Sequence, residues 1–240
     1  MSMTLLEIVQ QTRGRLGQPI PGSVAGNADP SIIQCMGILN EFLDDLSVRQ
    51  YWQSNTREAS FVATAAEDQG SLDALFPFGY EGLIEDTFFN RTIRLIVRGG
   101  LSAQEWAARK AMNMSGPLPA FRIRGNNMLF NPIPAAGQTF SVEYFSSYFV
   151  YNPADPIPVY RKYWTKDTDT CLLGDTLPTA YLKWAWRKEK GLDYAEDFRK
   201  YEALVSTKGL RDRRPAQLCM DGGSPSVGPG VTVSPGSWPL

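Results

Sequence analysis

The residues best placed to do chemistry in this chain are acidic. Asp167, Asp169 and Asp175 fall close together in the sequence. Two carboxylates at the spacing Asp167-Thr168-Asp169 could hold a divalent cation of the kind that carries nucleotide-sugar phosphates. The same carboxylates could cap local N–H groups and the helix that follows. The second reading is preferred, because no phosphate-binding loop accompanies the pair. G-x-x-x-x-G-K-[ST], G-x-G-x-x-G and G-x-S-x-G are all missing. A further pair, Asp44-Asp45, sits inside a helical pattern, where adjacent side chains diverge, and reads as a solvated face. The chain has no histidine. That excludes Ser-His-Asp and Cys-His nucleophiles and every histidine-bearing metal site. The three cysteines, Cys35, Cys171 and Cys219, lie in no C-x-x-C spacing. They read as inert thiols of a reducing compartment. No catalytic residue, cofactor or metal is expected.

Basic residues offer a second chemistry. Arg122 and Arg124 share one face of a strand and could meet phosphates. They fit more simply as the solvent face of a half-buried strand or as part of a subunit interface. Arg91, Arg94 and Arg98 are similarly spaced, and Arg211, Arg213 and Arg214 form the tightest cluster. None alternates with aromatics as a single-strand platform would. Lys plus Arg is 24 against 25 Asp plus Glu, a net charge of −1. A globally basic nucleic-acid binder is therefore not expected. At 240 residues with 43% apolar side chains, the chain has material for a core. No run is long and apolar enough to span a membrane. Composition reads as a soluble, intracellular, globular protein.

These residues need elements to position them. Thr4 and Glu7 make a capping box for a first helix carrying Leu5, Ile8, Val9 and Leu16. Asp29-Pro30 opens a second helix, with Ile32, Met36, Leu39, Leu43 and Leu46 at helical spacing. Alternation then predicts strands at Arg57 to Ala63 and Thr92 to Arg98. Asp68-Gln69-Gly70-Ser71 reads as a turn. Ser102 and Glu105 cap a helix running to Asn113. The clearest β signal is Phe121 and Ile123 alternating with arginines, then Gly125-Asn126-Asn127, then Met128 and Phe130. That is a hairpin. A strand through Phe140, Val142 and Tyr144 reads as continuing to Tyr151. Two helices follow, one through Leu177, Tyr181 and Trp184 with Gly191 just past its end, the other through Phe198, Tyr201 and Val205.

The order predicts an α+β fold. Residues 1–55 and 164–214 should form a helical bundle, with the helix at 102–113 packed on it. Residues 56–163 should form an inserted, sandwich-like β-rich domain, and 215–240 an extended tail. Residues 222–240 hold five Gly, four Ser and four Pro and no charged side chain. Such a segment cannot build its own core. Val231, Val233, Trp238 and Leu240 punctuate it, and "GVTVSPGSW" alternates as an extended segment docking on a partner would.

Four stretches resemble one family. They are the opening helix pair followed by "YWQSN", the hairpin "FRIRGNNMLFNPIPAAGQTFSVEYFSSY", the segment "TKDTDTCLLGDTLPTAYLKWAWRKEKGLDY", and the final helix with its tail. In this order the chain resembles the head-to-tail adaptors of short-tailed bacteriophages, also called tail tubular protein A or gatekeeper-like connectors. The resemblance covers most of residues 1–215.

The resemblance implies a virion protein at the head–tail junction, present in the host cytoplasm during assembly, that is not an enzyme. About twelve copies would form a ring under the portal, extend the DNA channel and offer a platform to the tail nozzle. Its partners would be the portal protein, the nozzle protein, further copies of itself, and double-stranded DNA passing through without sequence-specific binding. No membrane is involved. Val231, Val233, Trp238 and Leu240 would dock the tail on the portal. Arg122, Arg124, Asp167 and Asp169 would lie at subunit interfaces or in the channel. The alternatives are another virion assembly protein, an Asp-x-Asp metal-dependent enzyme, or a nucleic-acid module built on Arg122, Arg124 and the 211–214 cluster.

Overall fold

The computed structural model describes residues 2–84, 86–111, 118–155 and 159–212. Helix α1 (Leu5–Arg15) starts at the expected capping box. The Glu7 amide donates to Thr4 Oγ1, and the Thr4 amide donates to the Glu7 carboxylate at 2.8 Å. Helix α2 (Pro30–Arg49) starts at Asp29, whose carboxylate accepts from the Ser31 amide at 2.9 Å. Helices α5 (Thr176–Glu189) and α6 (Ala195–Asp212) come from the other end of the chain. Gly191, at φ 66°, ends α5 in the left-handed conformation that its place in sequence predicts. α5 packs against α1, α2 and α6. Leu5, Ile8, Leu39, Phe42, Trp52, Tyr181 and Tyr201 share one buried core.

Between the helical segments the chain builds two antiparallel sheets. In the first, β1 (Thr56–Val62) pairs along its whole length with β8 (Thr139–Phe145), from Thr56 opposite Phe145 to Val62 opposite Thr139. Short strands β3 (Gly82–Leu83), β4 (Phe89–Asn90) and β5 (Leu95–Ile96) complete it. In the second, β6 (Ala120–Arg124) and β7 (Asn127–Asn131) form the expected hairpin over Gly125, at φ 61°, and β2 (Asp68–Ser71) joins β7. The two sheets share an aromatic core of Phe76, Phe88, Phe121, Phe130, Phe140 and Tyr144. The short helix α3 (Leu72–Leu75) follows β2. The fold is α+β, a helical bundle from both chain ends with a sandwich-like β-rich unit inserted.

Several expectations need correction. Residues 149–151 and 160–161 belong with the helices. Strands β9 (Val150–Tyr151), β10 (Tyr160–Arg161) and β11 (Thr170–Cys171) form a small sheet, and Phe149, Val150 and Cys171 lie in the helical core. The alternation past Phe145 looked like one continuing strand. Ser146 breaks it, because its hydroxyl accepts from the Tyr148 amide at 3.0 Å and donates to the Phe78 carbonyl. Helix α4 (Ala103–Ala111), expected on the helical bundle, is tied to the β-rich unit instead. The Leu101 amide donates to the Phe121 carbonyl, and Lys110 pairs with Glu67 at 2.7 Å. Asp68-Gln69-Gly70-Ser71 is a strand, not a turn. Its polar residues hide the pattern, and Asp68 itself grips Asn127 of β7 at 2.7 Å. The 92–98 strand shrinks to Leu95–Ile96, after a turn in which Arg94 takes φ 57°.

Two chain crossings join the units, and they hold each other. The Asn55 side-chain amide donates to the Ser146 carbonyl, and the Ser146 amide returns a bond to the Asn55 carbonyl at 3.1 Å. Tyr51 stacks on Phe145 with ring centroids 4.7 Å apart. The Arg57 guanidinium lies 3.3 Å from the Tyr160 ring centroid and 5.5 Å from that of Phe78. Asp212, at the end of α6, accepts from the amides of Gln53 and Ser54 in the same crossing.

Candidate functional site

The Asp-x-Asp segment precedes β11, where the C-terminal half of the chain meets its N-terminus. Helix α1 begins with amides that no preceding turn can satisfy. The carbonyls of Asp169 and Asp167 satisfy two of them, from Leu5 at 2.8 Å and Leu6 at 3.2 Å. The side chains do separate work. Asp167 Oδ1 accepts from the amides of Val24 and Ala25, at 3.0 and 2.7 Å, and so closes the Gly- and Pro-rich loop after α1.

Asp169 is fully enclosed. Its Oδ2 accepts from the Thr165 amide at 2.9 Å, the Thr165 hydroxyl at 3.2 Å and the Lys166 amide at 2.8 Å. Its Oδ1 takes Arg161 Nη1 at 3.1 Å. Arg161 also holds Asp155 at 3.0 Å. An ionised carboxylate offers about four lone-pair positions. Three donors crowd Oδ2 and the Arg161 guanidinium holds Oδ1, and the enclosed carboxylate faces no solvent from which a cation could reach it. Among the described residues no cluster of three metal-ligating side chains occurs. The pair is a structural clasp. Asp175 is the residue before α5, but its side chain makes no capping bond; its carbonyl accepts from Thr179 Oγ1 at 2.7 Å.

The four residues expected at interfaces or in the channel do not form one site. Asp167 and Asp169 lie in the helical unit, and Arg122 and Arg124 lie on β6 in the β-rich unit. Asp169 cannot serve an interface or a channel, because no part of its side chain is exposed. Arg124 is exposed and Arg122 half-buried, as a strand's solvent face would have them. Val231, Val233, Trp238 and Leu240 lie outside the described residues. Asp44 and Asp45 are less idle than a solvated face: Asp44 accepts from Tyr163, and Asp45 accepts from Tyr201 at 2.9 Å and pairs with Arg49. Burial pushes the Cys171 thiol up to about 12 and raises that of Cys35, so neither is a nucleophile near neutral pH.

Sequence reasoning missed Arg161 and Arg13. Arg13 is buried, donates to the Pro19 carbonyl at 2.8 Å and to Ser31 at 2.9 Å, and lies over Trp186. Nothing local marks an arginine as a buried tie rather than a solvated one. It also missed an open cleft of about 340 Å³ between α1 and α6, floored by α5. No family model matches this chain, and no curated protein matches it.

Proposed function

We infer that this chain is a structural head-to-tail adaptor of a phage virion, one of about twelve copies in a ring beneath the portal. There it would lengthen the DNA channel and seat the tail nozzle. The observation that carries this reading is architectural. The first two and last two described helices pack in one helical layer, and the β-rich unit is joined to it by two braced crossings. That is the arrangement the family resemblance implies, with one unit to pack in a ring and a second to meet the next tail component. The metal-enzyme alternative is the weaker reading, because one of its two carboxylates, that of Asp169, is enclosed and holds Arg161 and three further donors. The basic residues are dispersed, which suits a conduit that must not grip phosphates.

Native mass by light scattering on a sizing column, with and without the cognate portal, tests the reading. A complex with about twelve chains per portal is expected. A chain that ignores the portal at every loading removes the adaptor role.

A further inference from the structure

Helix α5 is held on three sides, by α1, α2 and α6. Its fourth side is open among the described residues. Thr179, Ala180 and Lys183 of α5, with Arg15 of α1 and Lys200 and Leu204 of α6, line the cleft there. Tyr181 packs on Phe42 of α2, with ring centroids 5.3 Å apart. Lys183 follows it by two residues, about 200° around the helix. The cleft therefore faces nearly away from α2.

The outer face of α2 has the complementary character. Ile33, Gly37, Glu41 and Val48 are exposed on the side of α2 turned away from most of its buried residues, in a stripe whose remaining member, Asp44, is held by Tyr163 and Lys162. Ile33 is 55% exposed and Val48 82%. Gly37 weakens the middle of a helix, and nothing among the described residues demands it: a Cβ built there would meet none of their atoms within 4 Å. A glycine on such a stripe lets another helix approach closely. The charges match as well. In the cleft, Asp197 answers Lys183 and Arg187, and Glu196 answers Lys200. Two charges lining the cleft, Arg15 and Asp175, have no ion-pair partner among the described residues, and neither does Glu41 on the α2 stripe; of the two, Arg15 is the one that Glu41 can answer.

The geometry points to a second copy of this chain as the occupant: the outer stripe of α2 from one copy fills the cleft between α1 and α6 of the next, with Glu41 meeting Arg15. Donor and acceptor surfaces lie on opposite faces of the helical layer, so the contact is head-to-tail and generates a ring wherever the rotation closes. This rests on the ring reading above, and its test separates the two.

Sedimentation velocity on the full chain, at loadings up to about 1 mM, reads the contact directly. Wild type is expected to form higher-mass species. Glu41→Lys and Arg15→Glu should each stay monomeric at the same loading. The doubly swapped chain should regain the wild-type distribution, and so should an equal mixture of the two single variants, because every contact then pairs Lys with Glu or Glu with Arg. Gly37→Leu should raise the melting temperature of the monomer, by improving helix propensity into open space, and abolish association. Single variants that associate like wild type overturn the proposal. So does a swap that restores nothing while circular dichroism shows the helices intact. Wild type that stays monomeric throughout overturns this contact but leaves the adaptor reading to the portal copy number.

Discussion

Asp169 and Arg161 face each other at 3.1 Å, the carboxylate shut off from solvent and the guanidinium 21% exposed. The pair pins the loop whose backbone caps the first helix. Asp169→Ala would strand Arg161 and the amides of Thr165 and Lys166. Removing one partner of a buried, hydrogen-bonded pair costs about 3 kcal/mol or more. Urea unfolding should show a loss of that order, with Asp169→Asn losing less because it keeps acceptor capacity on one oxygen. Added Mg²⁺ or Mn²⁺ should leave the wild-type melting temperature unmoved. A metal-dependent rise would restore the cation reading.

The Arg57 sandwich between Tyr160 and Phe78 couples the two units. Arg57→Ala should loosen them. Calorimetry of wild type should show one cooperative transition, and the variant two overlapping ones. Lysine should not rescue, because an ammonium cannot stack as a planar guanidinium does. A single unshifted transition in the variant would place the coupling elsewhere, with the Asn55–Ser146 exchange the next target.

Alkaline pH should destabilise the chain. Burial raises the hydroxyls of Tyr181 and Tyr201, helped by the nearby Glu41 and Asp45 charges for the first and by Asp45 for the second. Burial also raises the thiol of Cys171 to about 12. The folded chain holds these protons more tightly than the unfolded one. Their contribution is complete below the unfolded values, 9.0 for the thiol and 10.0 for the phenols, and is lost as pH rises from there. Urea midpoints measured upward from pH 9 should fall, and Cys171→Ala should flatten the first part of that fall. Midpoints that hold steady to pH 11 would contradict the sign.

Deleting residues 222–240 should leave the melting temperature of the described fold unchanged and weaken capture on an immobilised portal. Alanine at Val231, Val233, Trp238 and Leu240 should reproduce that loss. Capture as tight as wild type from the deleted form would take the docking role away from the segment.

What was legible in advance followed local rules. The capping box at Thr4 and Glu7, the Asp29-Pro30 start, the Gly125 hairpin and the Gly191 stop each depend on residues adjacent in sequence. The illegible parts depended on distant partners. β2 carries no apolar alternation, and its pairing becomes visible only when Asp68 meets Asn127. The boundary at Ser146 turns on a carbonyl at Phe78. Arg161 is informative only beside Asp155 and Asp169, and the cleft beside α5 exists only once three helices have packed. The Asp-x-Asp segment sits between these cases. Its capping role could be anticipated from residue type, but not that its backbone would serve α1.

Thr56 and Phe145 are register partners at the base of the inserted unit, so the chain enters and leaves it through neighbouring points, about 5 Å apart as in any antiparallel pair. The insertion is therefore a cassette. A tight turn could replace it without stretching the helical layer, and a foreign domain whose termini lie equally close could be spliced into the same doorway.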